Sequence, residues 1–247
     1  MQQLQPHLDA CEGPVFWFEG SVFWFEDGVN RMAVAVPERG QRFFRHGIRH
    51  RLVGLTYRYL QGRVSISPDD CVINIGANIG EVAVCLEWRG AKVLAIEPDS
   101  QVLPALKANA DGRNIWVEPV AAWKQDGELE MYLATASGDT SVFQPAQKRI
   151  EGRMTFPARR IDTLAREYEI DHVRLIVGDA EGAEPEVLEG AAETLKITDY
   201  VSLCASAERD GERTLEACET ILHAAGFDII HRGDQRFCTL IAKSRNS

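Results

Sequence analysis

The residues of this chain best placed to do chemistry are carboxylates standing at the ends of apolar runs. Asp179 and Glu181 follow the run Val173–Val177 in the stretch GDAEGAEPEVLEGA. Carboxylates there can take a proton from a hydroxyl, or can fix their own loop by local hydrogen bonds. Glu97 ends a second run, Lys92–Ile96, where a carboxylate can accept from both hydroxyls of a ribose. About twenty residues before it lies the turn Gly76-Ala77-Asn78-Ile79-Gly80. Its two glycines let the backbone turn sharply and approach a ligand, because no Cβ stands in the way. Apolar run, glycine turn, helix, apolar run and acid together read as a nucleoside-cofactor site.

Two cofactors compete for such a site. A dinucleotide fingerprint has the spacing G-x-G-x-x-G, with the third glycine packing helix on strand. Here the spacing is G-x-x-x-G, so the pyrophosphate cradle is incomplete. S-adenosylmethionine carries a ribose and no phosphate, and the spacing favours it, while NAD stays open on the turn alone. A hydride-transfer pair of the Tyr-x-x-x-Lys type is missing at Tyr132, Tyr168 and Tyr200. Ser137, Ser141 and Glu208 are candidates for shaping the pocket. His46 and His50 have the i, i+4 spacing of helical metal ligands, but the sequence offers no third ligand, so no metal is expected.

Elements must position these groups. Cys71–Ile75 is β-branched and apolar, the pattern of a strand buried on both faces of a parallel sheet, and EVAVCLEW after the turn reads as a helix. Asp99-Ser100 caps a helix that Asp111-Gly112 stops. Ile115–Val117 is the third strand, running on to Val120–Ala122, and Gln125-Asp126-Gly127 is a hairpin turn into Glu128–Leu133. The small, polar stretch Thr135–Thr140 is a loop able to lie across a pocket. A helix at Asp162–Tyr168 precedes the fourth strand, and Pro185 opens a helix with Val187, Leu188, Ala191 and Leu195 inward. Tyr200–Cys204 is a strand and Thr214–Ala225 a helix ended by Gly226. Phe227–His231 and Phe237–Ala242, joined through Gly233-Asp234, are an antiparallel finish to the sheet.

Residues 1–65 stand apart from this pattern as an N-terminal addition to the main domain, 66–247. VFWFE occurs twice, at Val15–Glu19 and Val22–Glu26, with Gly20-Ser21 between. This is a hairpin closing one edge of the core, with an aromatic ligand platform as the alternative. Gln41–Gly62 reads as one helix with Phe44, Ile48, Leu52, Leu55 and Tyr59 on one face. Arg42, Arg45, Arg49 and Arg58 lie off that stripe, as a solvated face or as partners of an anionic group or membrane surface.

The 247 residues carry a net charge of −10, with 45% hydrophobic and 26% charged residues. Such acidity argues against a nucleic-acid partner. No signal peptide is expected, and no apolar run is long enough for a membrane span. The six cysteines lack C-x-x-C spacing, so a reduced, cytoplasmic protein is expected. A homodimer is left open.

VINIGANIG, then AIEP, RIDTL and GDAEGAEPEVLEGA, taken in this order, resemble the FkbM family of S-adenosylmethionine-dependent methyltransferases over roughly Asp70 to Ser244. The resemblance implies an α/β class I methyltransferase (Rossmann-like) fold: a mostly parallel sheet with an antiparallel C-terminal strand. It implies O-methylation of a hydroxyl on a sugar, glycan or secondary metabolite. By the same implication Asn74, Gly76, Asn78, Gly80 and Glu97 hold the methyl donor, with Ala77, Pro98 and Ala121 completing the set. Asp179 and Glu181 then face the reacting end. The family's usual first-strand acid is Asn74 here, and its frequent Lys two residues before the Asp is Val177. A non-catalytic or NAD-binding Rossmann-like protein remains the alternative.

Overall fold

A computed structural model describes residues 15–134, 140–144, 150–209, 211–234 and 238–247. Its centre is the apolar run ahead of the glycine turn. Preceding it are strands β1 (Val15–Glu19), β2 (Val22–Glu26) and β3 (Arg31–Val34) and helices α1 (Pro37–Phe44) and α2 (Ile48–Leu60). The domain proper begins with β4 (Cys71–Ile75), α3 (Glu81–Glu87), β5 (Lys92–Ile96), α4 (Leu103–Ala110) and β6 (Ile115–Glu118). Strands β7 (Ala121–Ala122), β8 (Gly127–Ala134) and β9 (Ile150–Arg159) follow. Then come α5 (Ile161–Glu167), β10 (Val173–Gly178), α6 (Glu184–Glu189) and a 3-10 turn at Thr194–Ile197. The chain closes with β11 (Thr198–Cys204), α7 (Leu215–Ala224), β12 (Phe227–Arg232) and β13 (Thr239–Ser244).

Seven strands form the central sheet in the order β12-β13-β11-β10-β4-β5-β6. The pairs β4–β5, β5–β6, β4–β10 and β10–β11 are parallel, and β13 runs antiparallel to both neighbours. The expected antiparallel finish is therefore present. Chain order reverses between β4 and β10, and in open α/β sheets ligands bind outside the carboxyl ends at such a switch point. Apolar side chains cover both faces. One cluster joins Val72, Val177 and Val93 to α2, α3 and α4, and the other joins Ile73, Ile176 and Leu94 to α5, α6 and α7.

The N-terminal layer belongs to the first of these clusters. Phe25, Met32, Phe44, Ile48 and Leu52 are wholly buried with it, each contributing about 1.5–3 kcal/mol by leaving water. Its hairpin pairs Trp17 with Trp24 across Gly20-Ser21 as the repeat suggests, and β3 adds a third strand. Asn109 of α4 clamps that strand: its Oδ1 accepts from the Ala33 N–H at 2.7 Å, and its Nδ2 donates to the Ala33 and Ile79 carbonyls at 2.9 and 2.7 Å.

Three expectations are corrected. The stretch 41–62 is two helices, because the chain turns between Phe44 and Ile48 with Gly47 at φ 94°. There Asp27 Oδ2 accepts from the Ile48 N–H at 2.6 Å. Second, Ala121–Ala122 does not pair with Glu128–Leu133. Strand β9 lies between them, parallel to β7 and antiparallel to β8. Its outward-alternating side chains are polar enough to hide it in the sequence. Third, Asp99-Ser100 does not cap α4: the capping position is Val102, and Asp99 Oδ1 instead accepts from the Gln101 N–H at 2.8 Å in the turn ahead of the helix.

Candidate active site

A cavity of about 350 Å³ opens at the switch point. Asn74, Gly76, Ala77, Asn78, Glu97, Pro98, Ala121, Asp179 and Glu181 line it. Gly80 does not. It takes φ 89° at the start of α3, where a Cβ would come within 2.9 Å of Leu106 Cδ1, so it packs α3 against α4. Ser137 lies outside the described residues.

The floor of the cavity is made where β4 and β10 end side by side. Gly76 takes φ 59°, and a Cβ on it would fall 2.0 Å from the Asp179 carbonyl oxygen. Across the same junction the Asp179 N–H donates to the Ile75 carbonyl at 3.2 Å. The glycine turn and the acidic loop are thus in backbone contact, which no spacing rule reveals from 100 residues away.

Glu97 is buried, and each of its oxygens accepts one backbone N–H: Oε2 from Asn78 at 2.8 Å and Oε1 from Asp99 at 2.9 Å. Burial nevertheless pushes its pKa up from 4.5 to about 7, the two hydrogen bonds opposing that rise. A carboxylate has about four lone-pair sites, so two remain for hydroxyl donors from the cavity.

Asn74 is almost fully buried, and its Nδ2 donates to the Val177 and Ile75 carbonyls at 3.3 and 3.4 Å. Two carbonyls as partners fix which end of the amide is which. Its Oδ1 has no partner among the described residues, and a buried acceptor in that state awaits a donor. Asn74 and Val177 are register partners on adjacent strands. The acid and Lys usual in the family would face each other at these two positions. Here both are neutral, so neither substitution leaves a buried charge without its partner.

Asp179 reaches the cavity but is surrounded by protein. Burial, then Glu181, then Glu184 push its pKa up from 3.8 to about 8. Its Oδ1 accepts from the Glu181 N–H at 3.1 Å, and the Cys204 thiol also bonds to its carboxylate. Oxygens of Asp179, Glu181 and Glu208 all lie within 4.8 Å of one another. Glu181 takes φ 50°, a left-handed conformation that a non-glycine residue adopts only when its surroundings enforce it.

What enforces it was not legible in the sequence. Glu184 is wholly buried; its Oε1 accepts from the Ala180 and Gly182 N–H groups at 3.0 and 3.2 Å, and its Oε2 accepts from the Thr214 hydroxyl at 2.7 Å. The Ser141 hydroxyl donates to the Glu181 carbonyl at 2.7 Å, and the Thr140 hydroxyl donates to Asp99 at 2.8 Å. Segment 140–143 thereby ties the nucleoside side of the cavity to the acidic side. The N-terminal layer supplies a further wall, with Arg39, Phe43, Arg51, Leu55, Arg58 and Tyr59. Burial, then the nearby Asp179, push the Tyr59 phenol well above its usual range.

The sheet order, with its reversed strand next to the edge and its acid-bearing switch point, defines a class I methyltransferase domain. The methyltransferase FkbM domain matches residues 74–229, and the chain belongs to that family. Its methyl donor is S-adenosylmethionine, which decides between the two nucleosides that the glycine turn left open. The chain is 26% identical over 151 residues to the 2-O-methyltransferase NoeI of Sinorhizobium fredii (strain NBRC 101917 / NGR234), covering 54% of this chain and 62% of that protein. It is 45% identical over 53 residues to the ribosomal RNA small subunit methyltransferase A of Alkaliphilus metalliredigens (strain QYMF), covering 21% of this chain and 18% of that one. The chain thus spans less than two-thirds of either relative. Among solved structures, magnesium protoporphyrin IX methyltransferase from Synechocystis PCC 6803 superposes with a TM-score of 0.48 at 13% identity, over 83% of each chain. Among the described residues no helix is long and apolar enough to cross a membrane.

Proposed function

We propose that this protein transfers a methyl group from S-adenosylmethionine to a hydroxyl of a sugar, glycan or secondary metabolite, with Asp179 as the base. One observation carries the reading: at the switch point a single cavity has a hydroxyl-accepting carboxylate, Glu97, and a proton-retaining carboxylate, Asp179, in its lining. The 2-O-methyltransferase relative supports oxygen as the acceptor atom.

The cavity fits the methyl donor in the atoms it leaves available. Glu97 keeps two lone-pair sites for the ribose hydroxyls, Asn74 Oδ1 awaits a donor, and Gly76, Ala77 and Asn78 bring backbone to the cavity without bulk. Pro98 and Ala121 supply apolar surface. When bound, the donor would supply a methyl group already activated by its sulfonium. The chain then has to align the acceptor oxygen and remove its proton. Asp179, with a pKa of about 8, is ionised in a fraction of molecules at neutral pH and fully above that value, and in that form can take the proton of an acceptor hydroxyl. Burial, then the neighbouring Glu181 and Glu184, keep the Asp179 carboxylate basic. The N-terminal layer closes the acceptor side, so residues 15–64 act as a wall of the site rather than as a separate domain.

Incubating the purified chain with labelled S-adenosylmethionine and a panel of sugars, glycolipids and hydroxylated metabolites tests the reading. Label transferred to oxygen on one class supports it. A parent protein that binds S-adenosylhomocysteine but labels no member of the panel argues for a non-catalytic binding protein.

A further inference from the structure

A second cavity, of about 330 Å³, opens at the amino ends of β4 and β5, on the sheet edge opposite the first. Cys71 and Lys92, register partners at the starts of these strands, line it, whereas Ile75 and Ile96, partners at their ends, line the first cavity. Four residue steps separate the two levels, about 13 Å along the strands. Its volume falls at the lower end of the range for small-molecule sites, about 300–1,000 Å³. Leu94 and Ile170 add apolar surface, and Trp116 and Tyr168 are its aromatic members.

Trp116 stands beside Leu94 in register on the edge strand β6. It is 45% exposed, with no ring contact among the described residues. An indole in a concavity attracts cations to its electron-rich face. The rim adds carboxylates, some of them already engaged. Asp69 pairs with Lys92 at 2.9 Å, and Asp70 accepts from the Ser67 N–H at 2.7 Å and lies 3.8 Å from Arg174. His172 contacts Asp199 at 3.2 Å. Glu169 and Asp171 also line the cavity, and neither has a hydrogen bond or ion pair among the described residues. Their charge is felt within: burial, then Asp171, push the Cys71 thiol up to about 11, with Lys92 opposing. Two exposed carboxylates alone are solvated surface charge. Beside an open indole and apolar side chains, they complement a cation carried on an apolar body.

We propose that this cavity binds a small organic cation, an ammonium or guanidinium on an apolar or aromatic body. Trp116 and Tyr168 meet its body and its charge through their ring faces, and Glu169 and Asp171 balance the charge at the rim. The site does not rest on the methyltransferase reading.

The full chain is titrated calorimetrically with phenethylamine, with choline, with the uncharged carbon isostere of choline, and with a lysine-rich peptide. Saturable binding of at least one of the two small cations is expected, weakened by added salt and unchanged by saturating S-adenosylhomocysteine. The uncharged isostere should give none. Trp116→Ala and the double variant Glu169→Gln, Asp171→Asn should each weaken cation binding about tenfold or more, with S-adenosylhomocysteine affinity within about twofold of the parent. If Trp116→Ala fails to fold, Trp116→Leu, which keeps bulk and removes the ring, carries the comparison with the double variant.

Binding of neither small cation overturns the site, and so does equal binding of the uncharged isostere, which would make the cavity indifferent to charge. Competition by S-adenosylhomocysteine would move the cation to the first cavity, against the proposal. Cation binding that survives both sets of substitutions would put the ligand elsewhere on the chain. A peptide that binds where neither small cation does would mark a docking face for another protein and likewise overturn it.

Discussion

Glu97 accepts two backbone N–H groups and still has room for two hydroxyls, an arrangement that only its ionised form can complete. Its pKa near 7 means that the unliganded protein holds a proton there below neutrality, and on the proposed reading a ribose bound at Glu97 would release it. Affinity for S-adenosylhomocysteine should therefore rise between pH 6 and 8, with proton release measurable by calorimetry in buffers of different ionisation enthalpy. Glu97→Gln should lower the affinity by about 1.5–3 kcal/mol, the range for hydrogen bonds to a charged group, and flatten that pH dependence. Asp179→Asn keeps the shape and removes the base. Turnover should fall by about 10²–10⁴-fold with S-adenosylhomocysteine affinity nearly unchanged. Loss of both together would make Asp179 a ligand of the donor instead.

At the scale of elements, the site exists because two strand ends touch. Replacing Gly76 puts a Cβ 2.0 Å from a backbone oxygen, and backbone cannot yield as a side chain would. Gly76→Ala should abolish nucleoside binding and lower the melting temperature, whereas Gly112→Ala, in open space though also at positive φ, should cost only the backbone strain of that turn. Asn109 tests the coupling between layers. It satisfies both backbone groups of Ala33 and the Ile79 carbonyl within the glycine turn. Asn109→Ala strands buried polar groups and should destabilise the chain by on the order of 3 kcal/mol, read by denaturant titration. Because Ile79 belongs to the turn, nucleoside affinity should weaken too.

For the whole molecule, the pKa values of Glu97 and Asp179 set a pH dependence of stability. Both rise on folding, from 4.5 to about 7 and from 3.8 to about 8. Between about pH 4 and 8 the folded chain therefore retains protons that the unfolded chain has released, and stability falls as pH rises through that window. Melting temperatures measured from pH 5 to 8.5 should decline, and the double variant Glu97→Gln, Asp179→Asn should decline less. The N-terminal layer shares the sheet's apolar core, and fifty residues alone form a marginal one. Limited proteolysis should yield no stable fragment beginning near Ser65; recovering one that binds nucleoside with parental affinity would contradict its role as a cavity wall.

The sequence by itself determined the strand–turn–helix unit at Cys71–Glu87, Glu97 at the next strand end and the acidic loop at Asp179, because each is a local pattern of side-chain type and backbone need. It also determined the burial of Ile48, Leu52 and Leu60 along α2, since burial follows helical periodicity, whereas Phe44 is buried from a separate helix, α1. Tertiary structure alone decided what those pieces do to one another. Gly76 is obligatory because of Asp179, not because of its own turn. Asn74 and Val177 depart from the family pattern as a register pair. Glu184, unremarked among five neighbouring acids, staples the loop through three hydrogen bonds. Arg39, Arg51 and Arg58 are sorted from exposed arginines by which side of α1 and α2 meets the sheet. Such relations join residues far apart in the chain, and pairing, desolvation and charge compensation depend on distance in space, which a linear pattern does not carry.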